Sequence, residues 1–337
     1  MALLRSRSLG VAVVMAAVAV SGCGSSNTSS SASKSGSAQA NVERTLVVFG
    51  AGTLANPFAQ EIAAFKAQHP GITVHSQFSA SGDRVKAITQ LGEPADVLGV
   101  ADYSLIPKDM FGEGGAKRYA NWYVGFVNNQ ITFAYTSHSK GAGQLTPANW
   151  YRVLAQPGVH IGRSNPSADP SGYQILQMLK LAEHYYRDPS LSAAILKNSP
   201  ASSVAETETS LIAALQSGQL DYLAIYRSDA LQHHFNYIHL PPEISLSDPA
   251  LASTYATVST PGTGGKIVTA KPIIYGLTVP TNAPDKSLGE QFVKFVLGPQ
   301  GQAIMRANGF MIISPAMASR QSALPPALRP LARSWSG

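Results

Sequence analysis

Two acids and three hydroxyls are the residues of this sequence whose types and positions could do chemistry. Asp169 and Glu208 each stand just ahead of a stretch with helical apolar spacing, and Thr53, Ser81 and Tyr226 each stand at or beside the turn that follows a β-rich run. A hydroxyl at a helix start, with the first-turn amides that lack an intrahelical acceptor, is a donor set for an anion. The acids point the other way, because an uncompensated carboxylate beside a dianion in a dry cleft costs many kcal/mol. Each residue also has an ordinary role. Serine caps helices, and a carboxylate in a first turn accepts free amides and complements the helix dipole. Tyr226, at a strand's carboxyl end, is either core or a donor to a ligand.

The elements that would position them can be read along the chain. Residues 46–49 are a β-rich run ending in the glycine turn of Gly50 and Gly52. Phe58, Ile62 and Phe65 follow on one helical face, and Pro70 ends that helix. Alternation at Ile72, Val74, Ser76 and Phe78 predicts a second strand. Ser81 is placed to cap the helix of Val85, Ile88 and Leu91, which Gly92 stops. Residues 95–101 read as a buried strand, 102–107 as the loop after it, and 130–135 as a strand leaving this half for another.

In the second half, Thr146-Pro147 is a cap plus first-position proline opening a helix through Ala155, and 159–162 a short strand. Asp169-Pro170 repeats the cap-plus-proline pattern ahead of a helix running towards Arg187. Residues 206–210 open a helix at 211–216 that Gly218 ends, and 220–226 are a strand. Residues 254–269 read as a glycine-rich surface loop, 273–279 as a strand crossing back to the first half, and 288–297 and 300–308 as helices. Prolines and three arginines after residue 319 suggest a loosely held tail. In an open α/β sheet, helix starts of this kind lie outside the carboxyl ends of the strands, where ligands bind.

The 337 residues are 45% apolar and carry a net charge of +6, enough for one large or two ordinary α/β domains. Without Arg5 and Arg7, which belong to a segment expected to be removed, the balance is 23 minus 19, or +4. No long basic run argues for nucleic acid. Residues 1–22 read as a secretory signal: a charged start, then an apolar run too short to span a bilayer. Cys23 is the lone cysteine, which excludes an intrachain disulfide or a redox pair. Residues 24–41 contain eight serines in eighteen positions and read as a flexible tether of roughly 20–25 Å reach.

Several motifs together carry a family likeness. Val20-Ser-Gly-Cys23 resembles a lipoprotein lipobox, which implies lipidation of Cys23. Ala95-Asp-Val-Leu with Ala101-Asp-Tyr-Ser-Leu-Ile-Pro107, Ala120-Asn-Trp-Tyr-Val124, Ile161-Gly-Arg-Ser-Asn-Pro166 with Asp169-Pro-Ser-Gly-Tyr173, Asp221-Tyr-Leu-Ala-Ile-Tyr226, and Lys271-Pro-Ile-Ile-Tyr-Gly-Leu-Thr-Val-Pro-Thr-Asn282 follow in order. The chain resembles the molybdate/tungstate-binding lipoproteins of ABC importers, most of all the tungstate-type branch, over residues 45–318.

The resemblance implies an α/β, two-lobed periplasmic-binding-protein fold (type II). Each lobe would be a mixed sheet flanked by helices, with the ligand in the interlobe cleft. Lobe 1 would be 42–130 with 276–319, lobe 2 would be 131–275, and 320–337 a C-terminal tail. Thr53 and Ser81 would be first-lobe donors, although serine is commoner at the first of these positions. Asp169 and Glu208 would match the carboxylates that bind the metal centre of the oxyanion; Tyr226, from its place at a strand end, is a further candidate donor. The expected partners are molybdate or tungstate, an ABC permease and, through the lipid, the cell membrane; no cofactor and no resident metal are expected.

Chemistry gives the acids a meaning of their own. Sulfate has no proton to offer two carboxylates, and phosphate can satisfy only one. The hexavalent metal of molybdate or tungstate is a hard Lewis acid that accepts extra oxygen ligands. If the acids are only caps, the hydroxyls would suit any tetrahedral oxyanion, sulfate or phosphate included. An extracytoplasmic hydrolase is the other alternative; against it, the chain has no Gly-x-Ser-x-Gly elbow and no His-Glu-x-x-His. The adjacent His233 and His234 cannot share a face of regular structure. Gly262-Thr-Gly-Gly-Lys266 is not a phosphate loop, because Thr260 replaces its first glycine and Ile267 its Ser/Thr.

Overall fold

The structure, a computed structural model, describes residues 44–335; the expected signal segment, Cys23 and the tether lie outside them. Strand β1 (Arg44–Ala51) buries Leu46, Val48 and Phe49. Gly50 is required there, because a Cβ would lie 2.7 Å from the Phe78 ring. A 3₁₀ turn (Gly52–Leu54) leads into α1 (Ala55–Gln68), whose Phe58 and Phe65 meet Phe292 edge-on at 5.8 and 5.3 Å. The order then runs β2 (Ile72–Ser79), α2 (Ser81–Thr89), β3 (Val97–Val100), α3 (Leu105–Met110) and β4 (Val124–Asn128).

Past Asn129 the chain enters a second sheet instead of folding back as a hairpin. Strand β5 (Ile131–Tyr135), α4 (Trp150–Leu154), β6 (Ile161–Ser164), α5 (Pro170–Tyr186), β7 (Val204–Ala205), β8 (Tyr222–Tyr226) and β9 (Asn236–Tyr237) build that half. A two-stranded ribbon, β10 (Ser259–Pro261) against β11 (Ile267–Thr269), precedes the return. Strands β12 (Ile274–Thr278), β13 (Met311–Ala318) and β14 (Ala332–Ser334) complete the first sheet. Its order is β14-β13-β4-β12-β3-β1-β2, and that of the second is β7-β6-β8-β5-β9. Both sheets mix parallel and antiparallel pairs, as β1 with β3 against β12 with β3, and β6 with β8 against β5 with β8. The two passages between sheets are tied together where the Asn129 amide donates to the Ile273 carbonyl at 3.1 Å.

Some expectations give way to tertiary packing. Residues 105–110 are helix rather than loop, because Leu105, Ile106 and Met110 present an apolar stripe to the core. Asn149, not Thr146, is the N-cap of α4; the Asn149 side chain instead closes the preceding turn by accepting the Thr146 amide at 2.8 Å. Residues 254–269 contain the β10–β11 ribbon. The tail is not loosely held: β14 pairs parallel with β13, Leu324, Leu328 and Ala332 are buried, and Trp335 lies against the Tyr103 ring at 4.7 Å.

Candidate functional site

Helix α5 begins as its sequence dictates. Asp169 is the N-cap, its Oδ2 accepting the Ser171 amide at 3.2 Å, and Pro170 occupies the first helical position, where no amide is needed. The Ser171 hydroxyl also lies 2.5 Å from Asp169 Oδ2, 2.7 Å from Glu208 Oε2 and 2.5 Å from Ser164 Oγ. A hydroxyl has one proton, so Ser171 cannot donate to both carboxylates. One acid must carry a proton of its own.

The electrostatics assign that proton to Glu208. Burial, reinforced by the Asp169 charge, pushes the Glu208 carboxyl well above its usual range, and it hydrogen-bonds Asp169 directly. Burial raises Asp169 too, but the bonds from Glu208 and Ser171 partly offset this. The two acids therefore hold one negative charge between them, in a place that is 4% and 1% exposed. A third acid, Asp229, lies behind them. It is pushed up to about 7, mainly by burial, with the Asp169 charge adding to the shift and the Ser228 hydroxyl, 3.0 Å away, opposing it.

Tyr226 and Thr53 reach this centre less directly. The Tyr226 hydroxyl donates to Gln174 Oε1 at 2.6 Å, so its proton is committed to α5 and not to a ligand. Its ring meets that of Tyr275, whose hydroxyl is 3.0 Å from Thr53 Oγ1. Asn129 Nδ2 donates to Ser228 Oγ at 2.8 Å and approaches the Tyr275 hydroxyl at 3.4 Å, linking Tyr275 to the serine that donates to Asp229.

Ser81 departs from its expected role. Ala80 is the N-cap of α2 and Ser81 its first residue, and the Ser81 hydroxyl accepts the Ala101 amide at 3.1 Å. The reason is tertiary: β3 ends beside the start of α2, and the Ala101 amide just past the strand bonds the Ser81 hydroxyl. Accepting that bond leaves the Ser81 proton free to donate.

Glycines bring the halves into contact at these same helix starts. A Cβ on Gly52 would lie 3.2 Å from Thr209 Oγ1, next to Glu208, and one on Gly82 would lie 2.9 Å from the Ala168 carbonyl, next to Asp169. The acids from the second half thus face the helix starts of the first. A cavity of about 600 Å³ lies to one side, lined by Asp102, Tyr103, Tyr173, Lys271 and Trp335 among others; none of Thr53, Ser81, Asp169, Glu208 or Tyr226 lines it. Among the described residues no group of three or more His, Cys, Asp or Glu could hold a metal cation.

Beside that cavity sits another buried acid, Asp102, held by neighbours that offset its burial. Burial alone would raise it, but Lys271 Nζ at 2.9 Å, the Tyr173 hydroxyl at 2.6 Å and the Ser104 amide at 2.9 Å keep it below its usual range.

The structure gathers Asp169, Glu208, Thr53 and Tyr226 into one buried polar region, together with Ser171, Gln174, Asp229 and Tyr275, which the sequence did not single out. Ser171 had a signal, a hydroxyl two residues after a capping acid. Tyr275 had none, since its place depends on which strand returns beside which.

A two-sheet α/β protein whose chain crosses twice between sheets, with polar helix starts facing each other across the gap, has the architecture of a periplasmic binding protein. The chain belongs to the bacterial extracellular solute-binding protein family, matching it over residues 46–311. A solute-binding protein of Petrotoga mobilis is 43% identical over 275 residues, 80% of this chain and 84% of that one. The molybdate/tungstate-binding protein WtpA of Pyrococcus abyssi is 38% identical over 300 residues, 81% of this chain and 86% of that one. Among solved structures, the periplasmic molybdate-binding protein of Azotobacter vinelandii superposes with a TM-score of 0.54 at 19% identity, over 80% of this chain and 99% of that one, a likeness of fold.

Proposed function

We propose that this protein captures molybdate or tungstate outside the cytoplasmic membrane and delivers it to an ABC permease, without catalysing a reaction. The observation that carries this reading is the pair of buried acids sharing one charge where helix starts of both halves meet. A sulfate dianion brought there would meet the negative charge the two acids share and has no proton to offer it. A hexavalent metal centre takes those oxygens as ligands. Asp169 and Glu208 would bind the metal of the oxyanion. The hydroxyls of Thr53 and Ser81, with the amides of the 3₁₀ turn at Gly52–Leu54 and of the start of α2, would hold its oxo groups. Tyr226 would fix α5 through Gln174. Closure of the halves would bury the ion and mark the loaded state for the permease. Lipidation of Cys23 and a serine-rich tether would keep the protein at the membrane.

Thermal-shift titration tests the cargo, since a ligand of the native state alone raises the unfolding midpoint. Tungstate and molybdate should raise it, and sulfate and phosphate should not. Asp169→Ala and Glu208→Gln should abolish the tungstate shift. Because burial and the Asp169 charge push the Glu208 carboxyl towards its neutral form, its Gln variant should keep the ligand-free midpoint. A sulfate response equal to tungstate's, or a tungstate response that survives both substitutions, would remove the acids from the site.

A further inference from the structure

Asp102 follows β3 in the first half, and Tyr173 lies four residues beyond Asp169, in the first turn of α5 in the second half. Both are 1% exposed, and the Tyr173 hydroxyl donates to Asp102 Oδ2 at 2.6 Å. The other carboxylate oxygen accepts from Lys271 Nζ at 2.9 Å and from the Ser104 amide and hydroxyl at 2.9 and 2.8 Å. Lys271 sits on the chain returning from the second half to β12, and its ammonium covers the Tyr103 ring at 4.7 Å. On its far side Tyr173 is seated by the ribbon: a Cβ on Gly262 would lie 3.1 Å from its ring, and Thr260 Oγ1 reaches its carbonyl. Three separate parts of the chain thus converge on one buried carboxylate.

We propose that the Asp102–Tyr173 hydrogen bond, backed by Lys271, is a latch that holds the two halves shut and sets how long the captured ion stays. It rests on the capture-by-closure reading above. Helix α5 is rigid across one turn, so the motion that withdraws Asp169 from the ion also pulls Tyr173 from Asp102. Release therefore requires breaking a charge-assisted bond remote from the ion. Removing the Tyr173 hydroxyl leaves Oδ2 buried without a donor in the closed form only, because an open cleft hydrates it. Asp102 and Tyr173 are positioning residues; neither need touch the cargo.

The test is Tyr173→Phe in the full chain, with Asp102→Asn as a second variant. Stopped-flow kinetics with tungstate should show dissociation accelerated about tenfold or more, with association no slower than the parent's, since encounter occurs with the open form that the variant populates more. Small-angle scattering of the ligand-free variant should show a larger radius of gyration than the parent chain. Its unfolding midpoint should stay within a few degrees of the parent's, since only the closed form's advantage over the open one is lost. Unchanged dissociation with an unchanged radius overturns the latch, and so does a midpoint loss accounting for the whole affinity change. If the parent chain shows no midpoint shift with tungstate or molybdate, the cargo assignment fails instead. The ligand-free scattering comparison then decides the latch alone: an equal radius overturns it.

Discussion

Asp229 makes the residue scale testable through acid–base linkage. Its folded value of about 7 stands above the ordinary 3.8. Between those values the native state keeps a proton that the unfolded chain has released, so stability falls as pH rises through that window and levels off above it. Burial raises Asp169, Glu208 and Glu61 as well, and these add with the same sign. Asp102, held low, acts oppositely and only below the ordinary carboxylate range. The ligand-free midpoint should therefore be higher at pH 5 than at pH 7.5, on the order of a few degrees. Asp229→Asn should flatten part of that slope, and a midpoint that climbs towards pH 7.5 would contradict the assignment. None of this could be read from Asp229 in the sequence, where it follows Arg227 and Ser228 as an ordinary helix-start acid. Its burial is a product of where Asn129 and Tyr275 arrive.

At the scale of elements, local chemistry was legible where one short stretch decides the outcome. Asp169-Pro170 announces the start of α5, and the first strand–glycine turn–helix unit folds as its spacing says. Reading stopped at elements that exist only through distant partners. Strands β10 and β11 are three residues each, separated by Gly262, Gly264 and Gly265, and their composition alone reads as loop. Ser81 was misread as a cap because the amide it accepts, from Ala101, is twenty residues away. Gly82, its neighbour, gives a prediction at this scale. Gly82→Ala should strengthen α2 by up to about 1 kcal/mol. In the contact described here, however, the new methyl would press on the Ala168 carbonyl at 2.9 Å, costing the closed form about 1–3 kcal/mol. Calorimetry should show weaker tungstate binding alongside an equal or higher ligand-free midpoint. Loss of both together would mean that the glycine serves the fold of its own half.

For the whole molecule, the two-sheet plan was visible because strands 130–135 and 273–279 could be seen to leave and rejoin the first half. The end of the chain was not, since its buried Leu324, Leu328 and Ala332 are too sparse among prolines to form a pattern. That end bears on how the molecule can be watched at work. Trp122 and Trp150 are sealed in the core at 5% and 0% exposure, whereas Trp335 lies partly open on the cavity that also holds Asp102, Tyr173 and Lys271. That cavity is walled by Thr269 and Ala252 on one side and by Leu105 and Met317 on the other, so its width follows the separation of the halves. The indole is thus a native optical gauge, with no dye to attach: its emission should shift to shorter wavelength when tungstate is added, and Trp335→Phe should silence that signal while leaving uptake of the ion intact.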